Sequence, residues 1–165
     1  MSNKKTLITG ASGFIGSTAV DKSHELGHET WAGIRNSSSK RYLKNKHIRF
    51  IDINYDDREK LKNQIREFID EYGKIDHIIH IAGLTKAKNK DEFNRVNYEN
   101  TRNLVEALTE LDAVPDSFIF MSSLSVIGAG DEINYTPITA DYKPNPETAY
   151  GKSKLKAENY LKSMP

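Results

Sequence analysis

The stretch TLITGASGFIG, residues 6–16, decides the fold of this chain. It begins as an apolar run of strand length and continues into glycines at positions 10, 13 and 16, followed by a helical segment. A buried strand, a glycine-rich turn and a helix in this order are typical of the opening unit of an alternating α/β protein. The sequence therefore predicts a first strand at about 5–9 and a first helix at about 14–26.

The rest of the chain repeats this alternation. Further strands are predicted at about 29–34, 48–53, 76–82 and 117–122, and further helices at about 57–72, 91–111 and 147–163. The last helix is predicted to open with Asn145 as N-cap and Pro146 at its first position. Strict alternation calls for right-handed crossovers and a parallel sheet with helices on both faces. The predicted fold class is a doubly wound, three-layer α/β/α domain over residues 1–165.

Composition narrows the possible partners. The chain has 165 residues, 37% of them hydrophobic, which suits one domain with a modest core. The net charge of +1 gives no field that would attract nucleic acid or an anionic membrane. There is no cysteine, which excludes disulfides, thiolate catalysis and Cys-based zinc sites, and no metal site is predicted. With no apolar signal region after Met1 and no run near the roughly 20 apolar residues of a membrane span, we expect a soluble cytoplasmic protein.

The glycine turn is a candidate phosphate-binding site. Glycines allow a tight turn, let backbone N–H groups approach a pyrophosphate and let helix and strand pack closely, while the helix N-terminus supplies partial positive charge. The predicted dinucleotide contacts in this turn are Gly10, Ser12, Gly13, Phe14, Ile15 and Gly16. The alternative is a tight βα turn in an unrelated α/β protein.

The end of the second strand bears on the choice of cofactor. NAD-binding domains usually carry an acidic residue there to bind the adenosine ribose. Residues 32–41 read AGIRNSSSKR, a set of cations and hydroxyls suited to a 2′-phosphate. This pattern favours NADP, with Arg35 as the main contact, and leaves NAD possible. The alternative is that Arg35 is a solvated loop cation.

Three residues form a candidate catalytic set. Tyr150 and Lys154 are four apart on the last predicted helix and therefore share one face. A phenol is a poor base at neutral pH, but a neighbouring ammonium favours its ionised form and makes proton exchange with a substrate hydroxyl feasible. Ser123 follows the fifth strand at its carboxyl end, where ligands bind in open α/β sheets, and could donate to the reacting oxygen. Taken alone, the pair would be better explained by a tyrosine stacked on a core edge and a solvated lysine.

The order of these motifs resembles the extended short-chain dehydrogenase/reductase family of the NAD-dependent epimerase/dehydratase type. The segment PNPETAYGKSK, residues 144–154, matches that family's entry into the catalytic helix. The resemblance implies an N-terminal Rossmann portion and further cofactor contacts beyond the glycine turn. These are Asp52 and Ile53 near adenine, Ala82 and Gly83 in the HIAG segment, the supporting Asn97, and Ser122, with Tyr150 and Lys154 also touching the cofactor. The HIAG and Asn97 motifs could each instead be plain packing, and Asp52 could instead be a solvated acid at a strand end.

Two positions depart from the family pattern. Ile127 stands where many relatives have a tyrosine before Gly128, so a substrate contact from that ring is absent. Asn100 stands where glycine is usual, which we interpret as a tolerated change on a helix surface.

The resemblance implies an NAD(P)-dependent oxidoreductase, epimerase or dehydratase acting on a nucleotide-linked sugar or a similar small-molecule substrate by hydride transfer. The alternative is a non-catalytic dinucleotide-sensing module, which would need none of the Ser, Tyr and Lys set. A homodimer is expected through the helices at about 91–111 and 147–163, whose apolar residues include Leu104, Leu108, Leu155 and Leu161. Burial against their own sheet is the other explanation of these leucines.

Only five strands are predicted before the sequence ends, whereas this fold usually has six. The family then adds a smaller substrate domain. We therefore expect that the substrate domain is absent from this chain and that the chain alone is catalytically silent.

Overall fold

A computed structural model describes residues 4–131 and 133–164. Its five strands form one parallel sheet. They are β1 (Lys5–Thr9), β2 (Glu29–Ile34), β3 (Arg49–Asp52), β4 (His77–His80) and β5 (Ser117–Phe120), in the spatial order β3-β2-β1-β4-β5. The chain builds outward from β1 to β3 and then returns to add β4 and β5 on the other side. The predicted doubly wound parallel sheet is confirmed.

Five α-helices alternate with or follow the strands. They are α1 (Phe14–Glu25), α2 (Arg58–Tyr72), α3 (Lys90–Asn94), α4 (Asn100–Glu110) and α5 (Ala149–Lys162). The helix predicted at about 91–111 is interrupted, because Arg95–Glu99 forms a π-helical turn between α3 and α4. A short 3-10 helix, Leu124–Val126, follows β5.

By their contacts the described residues form two compact units. The first comprises residues 4–82 and 103–121 and contains the whole sheet with α1, α2 and most of α4. The second comprises 83–102 and 122–164, apart from residue 132, and contains α3, the π-helical turn and α5. The single domain expected over residues 1–165 stays a prediction.

Side chains of the first unit alternate between two cores because successive strand residues point to opposite faces. On one face Leu7 and Ile78 pack with residues of α2 and α4. On the other face Ile8 packs with Val20 of α1. This unit therefore has helices on both faces of its sheet, which is the predicted three-layer order.

Leu104 and Leu108 of α4 belong to the first of these cores and are fully buried. Our interpretation of them as apolar residues available to a dimer partner is therefore wrong. Helix periodicity alone could not show that these two leucines cover the sheet of their own chain.

The start of α5 also differs from the prediction. The N-cap is Thr148, whose side chain accepts a hydrogen bond from the Gly151 backbone N–H at 3.0 Å, and the helix begins at Ala149. The predicted N-cap, Asn145, lies three residues earlier, where its backbone N–H is bonded to the Val126 carbonyl at 3.1 Å. Pro146 accordingly precedes the helix. Asn and Thr are both acceptable N-caps, so residue type alone did not distinguish them.

β5 lies at one edge of the sheet, and within the described ranges no strand pairs with its outer side. Ile119 at the centre of β5 is 53% exposed. None of the helices between residues 4 and 164, residue 132 aside, is both long and apolar enough to cross a membrane.

Candidate active site

The turn between β1 and α1 brings backbone segments closer than side chains would allow. A Cβ added at Gly10 would lie 2.7 Å from the Ala82 backbone nitrogen, and one at Gly16 would lie 2.1 Å from the Gly10 carbonyl oxygen. Gly10 also has φ +65°, in the left-handed region. A Cβ added at Gly13 would have the Gly10 carbonyl oxygen as its nearest atom, at 3.3 Å. The path of the backbone therefore requires glycine at 10 and 16 whatever the turn binds.

The N-terminus of α1 suits an anion. Gly13 is its N-cap, no side chain caps it, and the first turn contains no acidic residue. Phe14 and Ile15 follow at the surface, 77% and 53% exposed, and Ser12 is half-buried beside them. Unpaired N–H groups and the helix dipole favour negative charge at such an end. This geometry fits the pyrophosphate of a dinucleotide.

A carboxylate lies against the loop that follows β2, although β2 itself ends without an acidic residue. Asp52 at the end of β3 accepts hydrogen bonds from the backbone and side-chain nitrogens of Asn36, both at 3.1 Å, and from Gln64 Nε2 at 3.2 Å. Arg35 immediately before Asn36 is exposed. The loop therefore presents a free cation next to a carboxylate that protein groups already hold in place.

Ile53 and Ala82 lie at the ends of β3 and β4. The Ile53 side chain is buried in the core of the first unit, and its backbone N–H donates to the Ile34 carbonyl at 3.0 Å. Ala82 is half-buried, and its N–H donates to the Thr9 hydroxyl at 3.2 Å. Packing accounts for both positions, and their contacts with a cofactor stay predictions.

The second unit is organised around Asn97, which lies in the π-helical turn and is fully buried. Its Oδ1 accepts from the Leu84 N–H at 2.7 Å, and its Nδ2 donates to the Leu84 carbonyl and to Ser153 Oγ, both at 3.0 Å. Ser153 in turn donates to the Tyr150 carbonyl at 2.7 Å. Asn97 thus joins the segment after β4 to the helix that carries the tyrosine and lysine.

Gly83 makes room for two of these groups. A Cβ at this position would come within 2.8 Å of Asn97 Oδ1 and 3.2 Å of Lys154 Nζ. The structure therefore brings together Gly83, Asn97 and Lys154, three of the residues that the sequence singles out. One turn before Lys154, the Tyr150 ring packs against Phe93, with 5.8 Å between ring centroids.

Lys154 is buried despite its charge, with 4% of its surface exposed. Burial lowers the pKa of its ammonium from 10.5 to about 8, and the nearby carboxylate of Glu158 opposes this shift. A cation held in this environment can favour an anion beside it more strongly than a solvated lysine can. The alternative that Lys154 is a solvated surface lysine is therefore wrong.

The two serines after β5 have different partners. Ser123 Oγ accepts from the Ser125 backbone N–H at 3.2 Å as the N-cap of the 3-10 helix, which leaves its own hydrogen free to donate elsewhere. Ser122 donates a short hydrogen bond to the carboxylate of Glu158 on α5. Sequence reasoning missed Glu158, and its place four residues after Lys154 is the signal that could have drawn attention to it.

A doubly wound parallel sheet whose first strand runs through a glycine turn into a helix is the pattern of a dinucleotide-binding domain. The chain belongs to the NAD dependent epimerase/dehydratase family, which matches residues 6–164. The resemblance stated from the motifs is confirmed. Within the described part of the chain, no cluster of three or more His, Asp or Glu side chains could hold a metal ion.

Known proteins similar to this chain are sugar-nucleotide epimerases and their structural relatives. A UDP-glucose 4-epimerase from Neisseria meningitidis serogroup B is 32% identical over 96% of the chain. The UDP-Glc/GlcNAc 4-epimerase structure from Campylobacter jejuni is 27% identical over 97% of the chain, with a TM-score of 0.82. The Bordetella bronchiseptica enzyme WbmG in complex with NAD is 25% identical over 98% of the chain, with a TM-score of 0.77. The chain spans about half the length of these proteins, at 47%, 48% and 50%.

Proposed function

We propose that the complete gene product containing this chain is a nicotinamide-dependent enzyme that oxidises or reduces a carbon of a nucleotide-linked sugar, as an epimerase, dehydratase or reductase. The observation that carries the proposal is the buried Lys154, one helical turn from Tyr150 and next to Asn97 at the Gly83 position. Burying a cation costs free energy that a merely structural helix would avoid by placing an apolar residue there.

Each residue of the candidate set has a separate role. Tyr150 takes the proton from the substrate hydroxyl, or returns it, through its phenolic oxygen. Lys154 supplies a buried positive charge one helical turn from Tyr150, on the same face of α5. Ser123 directs its free hydrogen to the substrate oxygen, since its own Oγ lone pair is already used by Ser125.

The glycine turn and the uncapped end of α1 would hold the pyrophosphate of the cofactor. When bound, a nicotinamide ring supplies the hydride acceptor or donor for the substrate carbon. Asn97 and Ser122 hold α5 through their hydrogen bonds to Ser153 and Glu158.

The choice between NAD and NADP depends on the loop after β2. NADP is favoured by the exposed Arg35 and its neighbouring hydroxyls, which could bind a 2′-phosphate. NAD is favoured by the Asp52 carboxylate that lies against Asn36, since it would repel that phosphate, and by the cofactor named for WbmG. The NADP preference is therefore a prediction that rests on Arg35 alone.

A nucleotide sugar is the substrate class that the relatives support, because the Neisseria and Campylobacter proteins are named for UDP-linked sugars.

We also propose a homodimer through the parts of α4 and α5 that are not buried. These parts include Leu155 and Leu161 but no longer Leu104 and Leu108. Sedimentation at high concentration that shows only a monomer would contradict the dimer. The cytoplasmic location expected from the sequence stays a prediction.

The experiment measures dinucleotide binding by calorimetry on this chain and sugar conversion by the complete gene product. Tyr150→Phe should bind cofactor as the unaltered protein does and lose about 100-fold or more in turnover. Tyr160→Phe is the matched control, because Tyr160 lies on the same helix and packs against Tyr98 instead. Full turnover by Tyr150→Phe would refute the role of Tyr150. Tight dinucleotide binding with no turnover of any nucleotide sugar would favour a sensing module.

A further inference from the structure

Glu158 connects the two parts of the second unit that carry the candidate catalytic residues. It lies on α5, eight residues after Tyr150 and four after Lys154, so Lys154 and Glu158 share one face of the helix. Its carboxylate accepts the hydroxyl hydrogen of Ser122, which directly precedes Ser123 in the loop after β5. One carboxylate is therefore shared between the serine loop and the lysine helix.

The partners of Glu158 differ in how strongly they hold it. Lys162 approaches to 3.7 Å, but its side chain is 72% exposed, so this pair contributes little. The side chain of Glu158 itself is only 22% exposed. The bond from the half-buried Ser122 is a hydrogen bond to a charged acceptor, which is stronger than one between neutral groups.

The same carboxylate also acts on Lys154. Burial drives that ammonium toward its neutral form, and Glu158 is the charged group that opposes the change by raising the pKa. The amide of Asn97, which lies with the Lys154 ammonium at the Gly83 position, carries no charge. A neutral lysine would lose the positive charge on which its proposed role depends, so the charge of Glu158 bears directly on the proposed chemistry.

We propose that Glu158 is a positioning residue of the active site, whose carboxylate holds Ser122, and with it Ser123, against α5 and places a negative charge on the helix face that carries Lys154. The catalytic part of this inference rests on the proposed function. Its two structural consequences can be measured in the chain itself without any turnover.

The first measurement is the protonation of Lys154, followed by the ¹³Cε chemical shift in lysine-labelled protein as pH is raised. Glu158→Gln keeps an oxygen that can accept from Ser122 but removes the charge, so the Lys154 midpoint should fall by about one pH unit, within the range for a single nearby charge. Glu158→Asp keeps the charge, so its Lys154 midpoint should lie close to that of the unaltered protein. Lys162→Met is the control and should leave it unchanged. An unchanged midpoint in Glu158→Gln would overturn the proposal.

The second measurement is amide hydrogen exchange at Ser125, whose N–H is held by Ser123 Oγ. Ser122→Ala removes the bond to Glu158 and should speed exchange at Ser125 by about fivefold or more, since a net hydrogen bond contributes about 1 kcal/mol. Lys162→Met should not change it. Unchanged exchange in Ser122→Ala would also overturn the proposal, and this arm does not depend on whether Glu158→Gln folds.

The two proposals fail in different ways. If the midpoint and exchange change as expected while the complete gene product turns over no nucleotide sugar, Glu158 holds the site together and the proposed function is wrong. If turnover is found with neither change, the function stands and the role of Glu158 is refuted.

Discussion

The hydroxyl of Thr9 lies 2.8 Å from Nδ1 of His80, across the pairing of β1 with β4. Thr9 Oγ1 also accepts the backbone N–H groups of Ile81 and Ala82, each at 3.2 Å. A hydroxyl has two acceptor lone pairs and one hydrogen, so we expect its hydrogen to point to His80. We therefore expect Nδ1 of the buried His80 to be an acceptor, with the ring proton on Nε2.

Thr9→Val keeps the shape of this side chain and removes the hydroxyl. Three hydrogen-bonding groups then lose their partner, two of them in the segment beside the glycine turn. We expect the free energy of unfolding to fall by about 1–3 kcal/mol and dinucleotide affinity to fall with it. Denaturant unfolding and calorimetry measure the two effects.

Thr6→Val is the matched control for Thr9→Val. Thr6 lies on the same strand and its hydroxyl bonds His28 Nδ1 at 2.7 Å, at the strand end away from the turn. It should lose stability but keep dinucleotide affinity. Equal loss of affinity in both variants would show that Thr9 has no particular role at the turn. Ring ¹⁵N shifts of His80 check the tautomer independently.

Gly16→Ala tests the close approach in the turn. Alanine is favoured over glycine within a helix by about 1 kcal/mol, but here its Cβ would lie 2.1 Å from a backbone oxygen. The clash should prevail, with a net destabilisation of about 2 kcal/mol or more in denaturant unfolding. Gly13→Ala, whose Cβ would lie at 3.3 Å from the same oxygen, should cost clearly less. If the two substitutions lowered the free energy of unfolding by similar amounts, the close approach at Gly16 would not be what requires glycine there.

Arg35→Ala tests the cofactor preference. If Arg35 binds a 2′-phosphate, its loss should weaken NADP by about 1.5–3 kcal/mol, which is tenfold or more, and should leave NAD nearly unchanged. Lys40→Ala in the same loop removes an equal charge and is the control, since the Lys40 ammonium lies over the Phe50 ring. If the unaltered protein binds NAD as tightly as NADP in calorimetric titration, the predicted preference is wrong.

The buried Lys154 predicts an alkaline dependence of stability. Because its pKa is lowered from 10.5 to about 8, the unfolded chain binds more protons than the folded protein between these values. The free energy of unfolding should therefore rise with pH through this window, by at most about 3 kcal/mol. Lys154→Met should lack the rise, whereas Lys152→Met, at an exposed position of the same helix, should keep it. If the free energy of unfolding of Lys154→Met rises with pH by the same amount, groups other than Lys154 cause the rise.

The sequence alone determined the order of the elements and the class of fold. Apolar runs of strand length alternate with longer helical stretches, and local periodicity predicted all five strands to within two residues at each end. The glycines of the first turn could be recognised for the same reason, because their spacing between a strand and a helix is a local property. The tyrosine and lysine on one face of α5 followed from the geometry of a helix.

Only the tertiary structure decided features that depend on residues distant in sequence. The cap of α5 is Thr148 and not Asn145, whose backbone is bonded to Val126, and Leu104 was assigned to the core by the sheet that it covers. The burial of Lys154 could not be predicted, since a lysine at that spacing fits a solvated face equally well. The bond between Ser122 and Glu158, 36 residues apart, has no local signal in the sequence, because it forms only when the loop after β5 reaches α5.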